Sequence, residues 1–159
     1  MELDNTDWAL LQALQTDASR SNLALAQDLH ISAPTALRRV QRMQRMGLIE
    51  RTVAILNPAQ VAAHLGHGLT ALVEVTLDQQ GEEHQADFER AACAMPEVQQ
   101  AYRVGPGPDW MLVMTVRDMP HYHRLAQTLL TERKNVRTLK AMFSIHRAKF
   151  GTALPLGQT

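Results

Sequence analysis

Between Trp8 and Met43 apolar side chains return every three or four residues, whereas beyond Leu69 they alternate with polar ones. The first pattern predicts three short helices. Asp4 and Thr6 offer capping side chains ahead of Trp8, Leu10, Leu11 and Leu14, whose spacing suits an amphipathic helix. After a polar break over 16–21, Ser21 or Asn22 caps a helix carrying Leu25, Ala26 and Leu29. His30-Ile31 makes a tight connection, Ser32 caps a third helix, and Pro34 is tolerated in its first turn. Gly47 stops that helix, residues 48–55 read as a short strand, and Asn57-Pro58 with Gly66 bracket a helix over 56–66.

The period-two region begins with Leu69, Ala71, Val73, Val75 and Leu77, which predict a half-buried strand. A helix over 82–95 follows, with Phe88, Ala91, Ala92 and Met95 on one stripe. Residues 98–104 and 110–116 read as strands joined by a Gly-Pro turn. Asp118 and Pro120 open a helix whose Tyr122, Leu125, Ala126 and Leu129 align. Residues 136–146 close the set as a strand, with Leu139, Ala141, Phe143 and Ile145 alternating. The order βαββαβ predicts a ferredoxin-like antiparallel sheet with helices on one face. The chain is therefore read as α+β: a helix-turn-helix (winged) domain over 1–52 with its motif at about 22–41, a linker over 53–67, and a βαββαβ domain over 68–159.

Composition changes this picture little. Of 159 residues 45% are hydrophobic and 20% charged, as expected of a folded protein, and aromatics are only 4%, so Leu, Val, Ala and Met must build the cores. No apolar run approaches the roughly 18 residues a membrane span needs. A single cysteine, Cys93, cannot form an internal disulfide, and the N-terminus lacks signal-peptide character, so a cytoplasmic protein is expected.

Charge changes it more. The whole chain sums to zero, yet residues 1–32 hold one arginine against five acids, and residues 33–51 hold five arginines against Glu50 alone. On a helical wheel with Thr35 at zero, Arg38, Arg39, Arg42 and Arg45 fall at about 300°, 40°, 340° and 280°. Ala33, Ala36, Leu37, Val40 and Met43 occupy the arc from about 80° to 200°. A basic helix preceded by a short helix and a tight turn has the form of a major-groove recognition helix. Ser32 at its cap, Thr35, Arg38, Arg39, Arg42 and Arg45 are then the expected contacts to phosphates and base edges of double-stranded DNA.

In order and spacing, several fragments resemble the Lrp/AsnC (feast/famine) family of transcription regulators. They are Leu3-Asp4-x-x-Asp7 with Leu10-Leu11, Asn22-Leu23-Ala24-Leu25-Ala26 leading to Ile31-Ser32, Leu37-x-Arg39-Val40, Gly47-Leu48-Ile49, Leu56-Asn57-Pro58, Asp109-Trp110-Met111-Leu112, Asp118-Met119 and Leu129-Leu130. The resemblance implies dimerisation through the βαββαβ domain, assembly of dimers, commonly into octamers, and an amino-acid effector bound between dimers. It also implies regulation of amino-acid metabolism. By position it assigns effector binding to the loop of Val104, Gly105, Pro106, Gly107, Asp109 and Trp110. Three departures stand out: Pro106 where the family has glycine, Leu139 and Ala141 where it has Thr or Ser, and His30 where its turn prefers glycine. The first two imply a more apolar pocket, or a response to amino acids that is altered or lost.

Other signals weigh less. The Gly-Pro-Gly-Pro-Asp stretch lacks the helix-opening context of a phosphate loop. His64-x-x-His67 and His121-x-His123 have no third ligand at useful spacing, so neither a metal nor another cofactor is expected. With no acid–base pair or nucleophile constellation, an enzyme is not expected either. The alternative of a different class is a small-molecule sensor or enzyme-regulating module whose helix-turn-helix serves a protein partner.

Overall fold

A computed structural model describes residues 2–66, 68–132 and 135–156. The chain forms two compact units, one running to Ile55 and joined by the tail from Lys149, the other spanning Leu56–Ala148.

In the first unit, α1 (Asn5–Thr16), α2 (Asn22–Asp28) and α3 (Ala33–Arg45) surround a core of Leu10, Leu25 and Met43, with Leu14, Leu29, Val40 and Ile49 packed against it. Fully burying each of those three core side chains contributes about 2 kcal/mol. Each helix starts where a short polar side chain satisfies an orphan N–H: Asp4 accepts from Asp7, Ser21 from Ala24 and Ser32 from Thr35. The connection between α2 and α3 turns at His30, whose φ of 53° lies in the left-handed region that histidine enters more readily than most residues. Gly47, at φ 73°, ends α3, and the Leu48 N–H returns to the Met43 carbonyl at 3.0 Å.

Two differences from the sequence reading concern this unit. Residues 51–57 are irregular and form no strand, so the helix-turn-helix has no wing among the described residues. Val53 and Ile55 are exposed, and among the described residues no neighbouring strand takes up their backbone groups. The tail, read as part of 68–159, instead lies against α1. The Gln15 side-chain amide donates to the Leu154 carbonyl at 2.9 Å and accepts from the Leu154 N–H at 3.0 Å.

The second unit opens with α4 (Pro58–Leu65), capped by Asn57 and ended by Gly66 at φ 65°. There follow β1 (Leu69–Leu77), α5 (Glu82–Cys93), β2 (Val98–Arg103), β3 (Trp110–Val116), α6 (Met119–Glu132) and β4 (Val136–Phe143). The sheet is antiparallel in the order β2-β3-β1-β4, with Val73 opposite both Leu112 and Ala141. Ala71, Val73, Val75 and Leu77 point to one face, where they meet Leu112, Met114 and Val116 and, from α5 and α6, Phe88, Ala92, Tyr122 and Leu129. The other face carries exposed Leu72, Tyr102 and Met142 beside half-buried Met111 and Val113. Pairing of β4 stops at Phe143, opposite Ala71, so Ile145 lies outside the strand and is fully exposed.

Candidate nucleic-acid interface and ligand loop

The geometry of α3 begins with Asp7. As the third residue of α1 it completes a capping box, accepting from the Asp4 N–H at 3.2 Å while Asp4 accepts from its N–H at 2.9 Å. The same carboxylate, only 1% exposed, also receives two arginines from α3. Arg39 Nη1 donates to Asp7 Oδ1 at 2.8 Å and to Asp4 Oδ2 at 2.7 Å, and Arg42 Nη2 donates to Asp7 Oδ2. A carboxylate has about four lone-pair sites, so three donors on Asp7 are accommodated. The Asp7 N–H, then Arg39, hold the Asp4 carboxyl below its ordinary value of 3.8. Asp4 and then Asp7 raise Arg39 above its ordinary range.

Arg39 and Arg42 are thus only partly exposed and turned toward α1, not outward with the other arginines. This revises their reading as the outward basic face. Leu37, placed by the wheel at the end of the apolar arc, is also displaced: it is 42% exposed. The buried side of α3 is Ala36 and Met43 flanked by Val40, Thr35, Arg39 and Arg42, and the exposed side is Pro34, Leu37, Arg38, Gln41, Gln44 and Arg45. The solvent face is rotated by about a quarter turn from the basic arc that sequence predicts. Arg38 and Arg45 have no ion-pair partner among the described residues. Ser32 and Thr35 sit at the start of the helix, their hydroxyls 2.8 Å apart. The signal for the inward pair was present in the sequence, as Asp4-x-x-Asp7 and Arg39-x-x-Arg42 each have the spacing of one helical face.

The loop expected to bind the effector joins β2 to β3 and is closed by the Val104 N–H donating to the Asp109 carbonyl at 3.0 Å. Val104, Gly105, Pro106 and Gly107 are exposed, with Gly107 at a φ of 125° that L side chains rarely adopt. Asp109 and Trp110 behave differently. The Asp109 Oδ2 accepts the Leu77 N–H at 2.7 Å, where the β1–β4 register shifts, and its own N–H donates to the Val75 carbonyl. Trp110 is 3% exposed, packs against Phe88 with ring centroids 5.6 Å apart, and donates from Nε1 to Gln85 Oε1 at 2.6 Å. Trp110, expected in effector binding, is therefore part of the core that supports the loop. Gln85, which sequence reading did not single out, is the buried polar link beneath it. A glutamine in a helix carries no signal of this kind until its neighbour across the sheet is known. Of the histidine pairs, His67 lies outside the described residues. His121 accepts the Arg117 N–H at Nδ1, and its Nε2 lies 3.3 Å from Glu97.

A helix-turn-helix unit with an exposed arginine-bearing third helix, followed by a ferredoxin-like unit, defines a two-domain DNA-binding regulator. Residues 3–44 match the AsnC-type helix-turn-helix domain, and residues 70–154 match the Lrp/AsnC ligand binding domain. The chain is 32% identical over 149 residues to the leucine-responsive regulatory protein of Rhizobium meliloti, covering 94% of this chain and 93% of the relative. It is 32% identical over 154 residues to an HTH-type transcriptional regulator of Haemophilus influenzae, covering 97% and 89%. Among solved structures, a transcriptional regulator of Neisseria meningitidis in complex with L-Met superposes with a TM-score of 0.88 at 26% identity, over 98% of this chain and 97% of that one. The chain belongs to the Lrp/AsnC family, and it is a DNA-binding transcriptional regulator. The family consists of regulators rather than enzymes. No helix among the described residues is long and apolar enough to cross a membrane.

Proposed function

We propose that this regulator acts in the cytoplasm, without catalysis, on genes of amino-acid metabolism, and that its DNA contacts are Ser32, Thr35, Arg38 and Arg45. Arg39 and Arg42 support those contacts by holding α3 against α1. The observation that carries this reading is the pair of arginines, Arg38 and Arg45, that have no ion-pair partner among the described residues and stand on the solvent face of a helix whose other arginines are neutralised. Each phosphate neutralised by a side chain releases counterions, so affinity must fall with salt. Retention of the full chain on duplex DNA should weaken steeply as salt rises. Arg45→Ala should lower the slope of log affinity against log salt by about one unit, and Arg38→Ala should weaken binding at every salt. An unchanged slope in Arg45→Ala together with unchanged affinity in Arg38→Ala would remove these residues from the interface.

The effector reading rests on the exposed rim of the ligand loop. We infer that an amino acid binds against Val104, Gly105, Pro106 and Gly107, with Asp109 and Trp110 shaping the loop from below. Gly105 and Gly107 retain N–H groups for a ligand carboxylate, whereas Pro106 and Pro108 have none. A second copy would supply the opposite wall. The sheet face opposite the core, with Leu72, Tyr102, Met111, Val113 and Met142, supports association of ferredoxin-like units into dimers and then larger assemblies, octamers among them. The L-Met complex of the Neisseria meningitidis relative supports an amino-acid ligand. A thermal-shift screen of the proteinogenic amino acids, with and without DNA, tests this. Stabilisation by none of them would point to a ligand-independent regulator.

A further inference from the structure

The salt bridges that withdraw Arg39 and Arg42 leave a different set of side chains to read bases. Leu37, Arg38 and Gln41 are exposed in the middle of α3, at positions i, i+1 and i+4. They form one edge of the helix, centred at about 250° on the wheel that has Thr35 at zero. A single exposed leucine on a protein surface is ordinary. Leu37 is singled out by its place: it stands beside a carboxamide and a guanidinium on the solvent face of a recognition helix, and the core of the unit, Leu10, Leu25 and Met43, does not include it.

We propose that these three residues are the specificity-determining set of the DNA-binding unit. This rests on the DNA-binding reading above and goes beyond it by naming the chemistry of each contact. In the major groove thymine alone offers a methyl group, guanine offers paired acceptors at O6 and N7, and adenine offers an acceptor at N7 beside a donor at N6. Leu37 takes the thymine methyl. Arg38 donates twice to guanine, and the Gln41 carboxamide pairs with the adenine edge as donor and acceptor. Arg45, two turns further along the same face, meets the backbone and positions the helix without reading sequence.

The test is selection of duplexes from a random-sequence library with the full chain at fixed salt. Wild type, Leu37→Ala, Arg38→Ala, Gln41→Ala and Arg45→Ala are compared, each first checked for native helix content. The first three variants should still enrich sequences, but each with preference relaxed at one position. Arg45→Ala should enrich the wild-type sequence with uniformly lower affinity. Replacing the preferred thymine by uracil, which removes only the methyl group, should weaken wild type about fivefold and leave Leu37→Ala unchanged. The proposal is overturned if the three variants select the wild-type sequence with merely uniform losses, or if uracil at every thymine leaves wild type unaffected. Failure of the chain to be retained on any duplex at low salt would instead overturn the DNA-binding reading itself, and this proposal with it.

Discussion

Asp7 takes the N–H of Asp4 and the guanidinium groups of Arg39 and Arg42 on one carboxylate that is 1% exposed. Removing one partner of a buried ion pair strands a desolvated charge, which costs more than the pair itself contributes. Asp7→Ala should therefore destabilise the helix-turn-helix unit by about 3 kcal/mol. Arg42→Ala should cost less, about 1–2 kcal/mol, because Arg42 is itself partly solvated and Arg39 remains on Asp7. Hydrogen exchange of the α1 and α3 amides checks both. If Arg42→Ala leaves exchange unchanged but abolishes DNA retention, Arg42 is a DNA contact after all. The depressed Asp4 carboxyl gives a pH dependence whose sign follows from linkage. The folded state binds that proton less readily than the unfolded chain does. The stability Asp4 contributes is therefore present above its ordinary value of 3.8 and lost as pH falls below it through the folded value. Urea midpoints measured from neutral to acid pH should fall less steeply in Asp4→Asn than in wild type.

At the level of elements, the helices and strands were legible because each rests on a short-range signal. Asp4, Ser21, Ser32 and Asn57 cap the helices anticipated from their side chains, and β1 alternates as its residues do. The orientation of α3 was not legible. Counting arginine as solvent-facing was sound for Arg38 and Arg45, and wrong for Arg39 and Arg42, because an acidic partner on α1 can bury a charge that hydropathy places outside. The strand expected over 48–55 failed for a related reason, since β structure requires a hydrogen-bonding neighbour that no local pattern supplies. The tail gives a prediction at this scale. The reciprocal hydrogen bonds between Gln15 and Leu154 tie the tail to α1 at Leu154, so Gln15→Ala should speed proteolysis and amide exchange of the tail while leaving α3 protected. In the ferredoxin-like unit, Gln85→Ala would leave the Trp110 indole N–H buried and unpaired. It should lower that unit's stability by about 1–3 kcal/mol, read from denaturant unfolding monitored at Trp110.

At the scale of the molecule, zero net charge conceals two kinds of arginine. Part of the acidic excess of residues 1–32 is the internal partner of part of the basic excess of residues 33–51, through Asp4 and Asp7 with Arg39 and Arg42. Arg38 and Arg45, which have no ion-pair partner among the described residues, lie on one edge of α3. An effector acts on DNA binding only through different affinities for two arrangements of the assembly. An amino acid that raises thermal stability should therefore also change DNA affinity, and by linkage DNA should change the apparent affinity for that amino acid equally. Titrations in both directions check this reciprocity; an amino acid that binds equally with and without DNA is no effector.

The order of elements, their caps and the two-unit organisation follow from residue spacing, because periodicity and capping act over a few residues and leave a local trace. The rotation of α3, the burial of Trp110 under the β2–β3 loop and the seating of the tail on Gln15 depend on residues far apart in the chain. Each joins groups separated by more than twenty residues, as with Asp7 and Arg42 or Gln85 and Trp110. Which side of a helix meets solvent is settled by the partner packed against it, and that partner is chosen by the fold rather than by the helix.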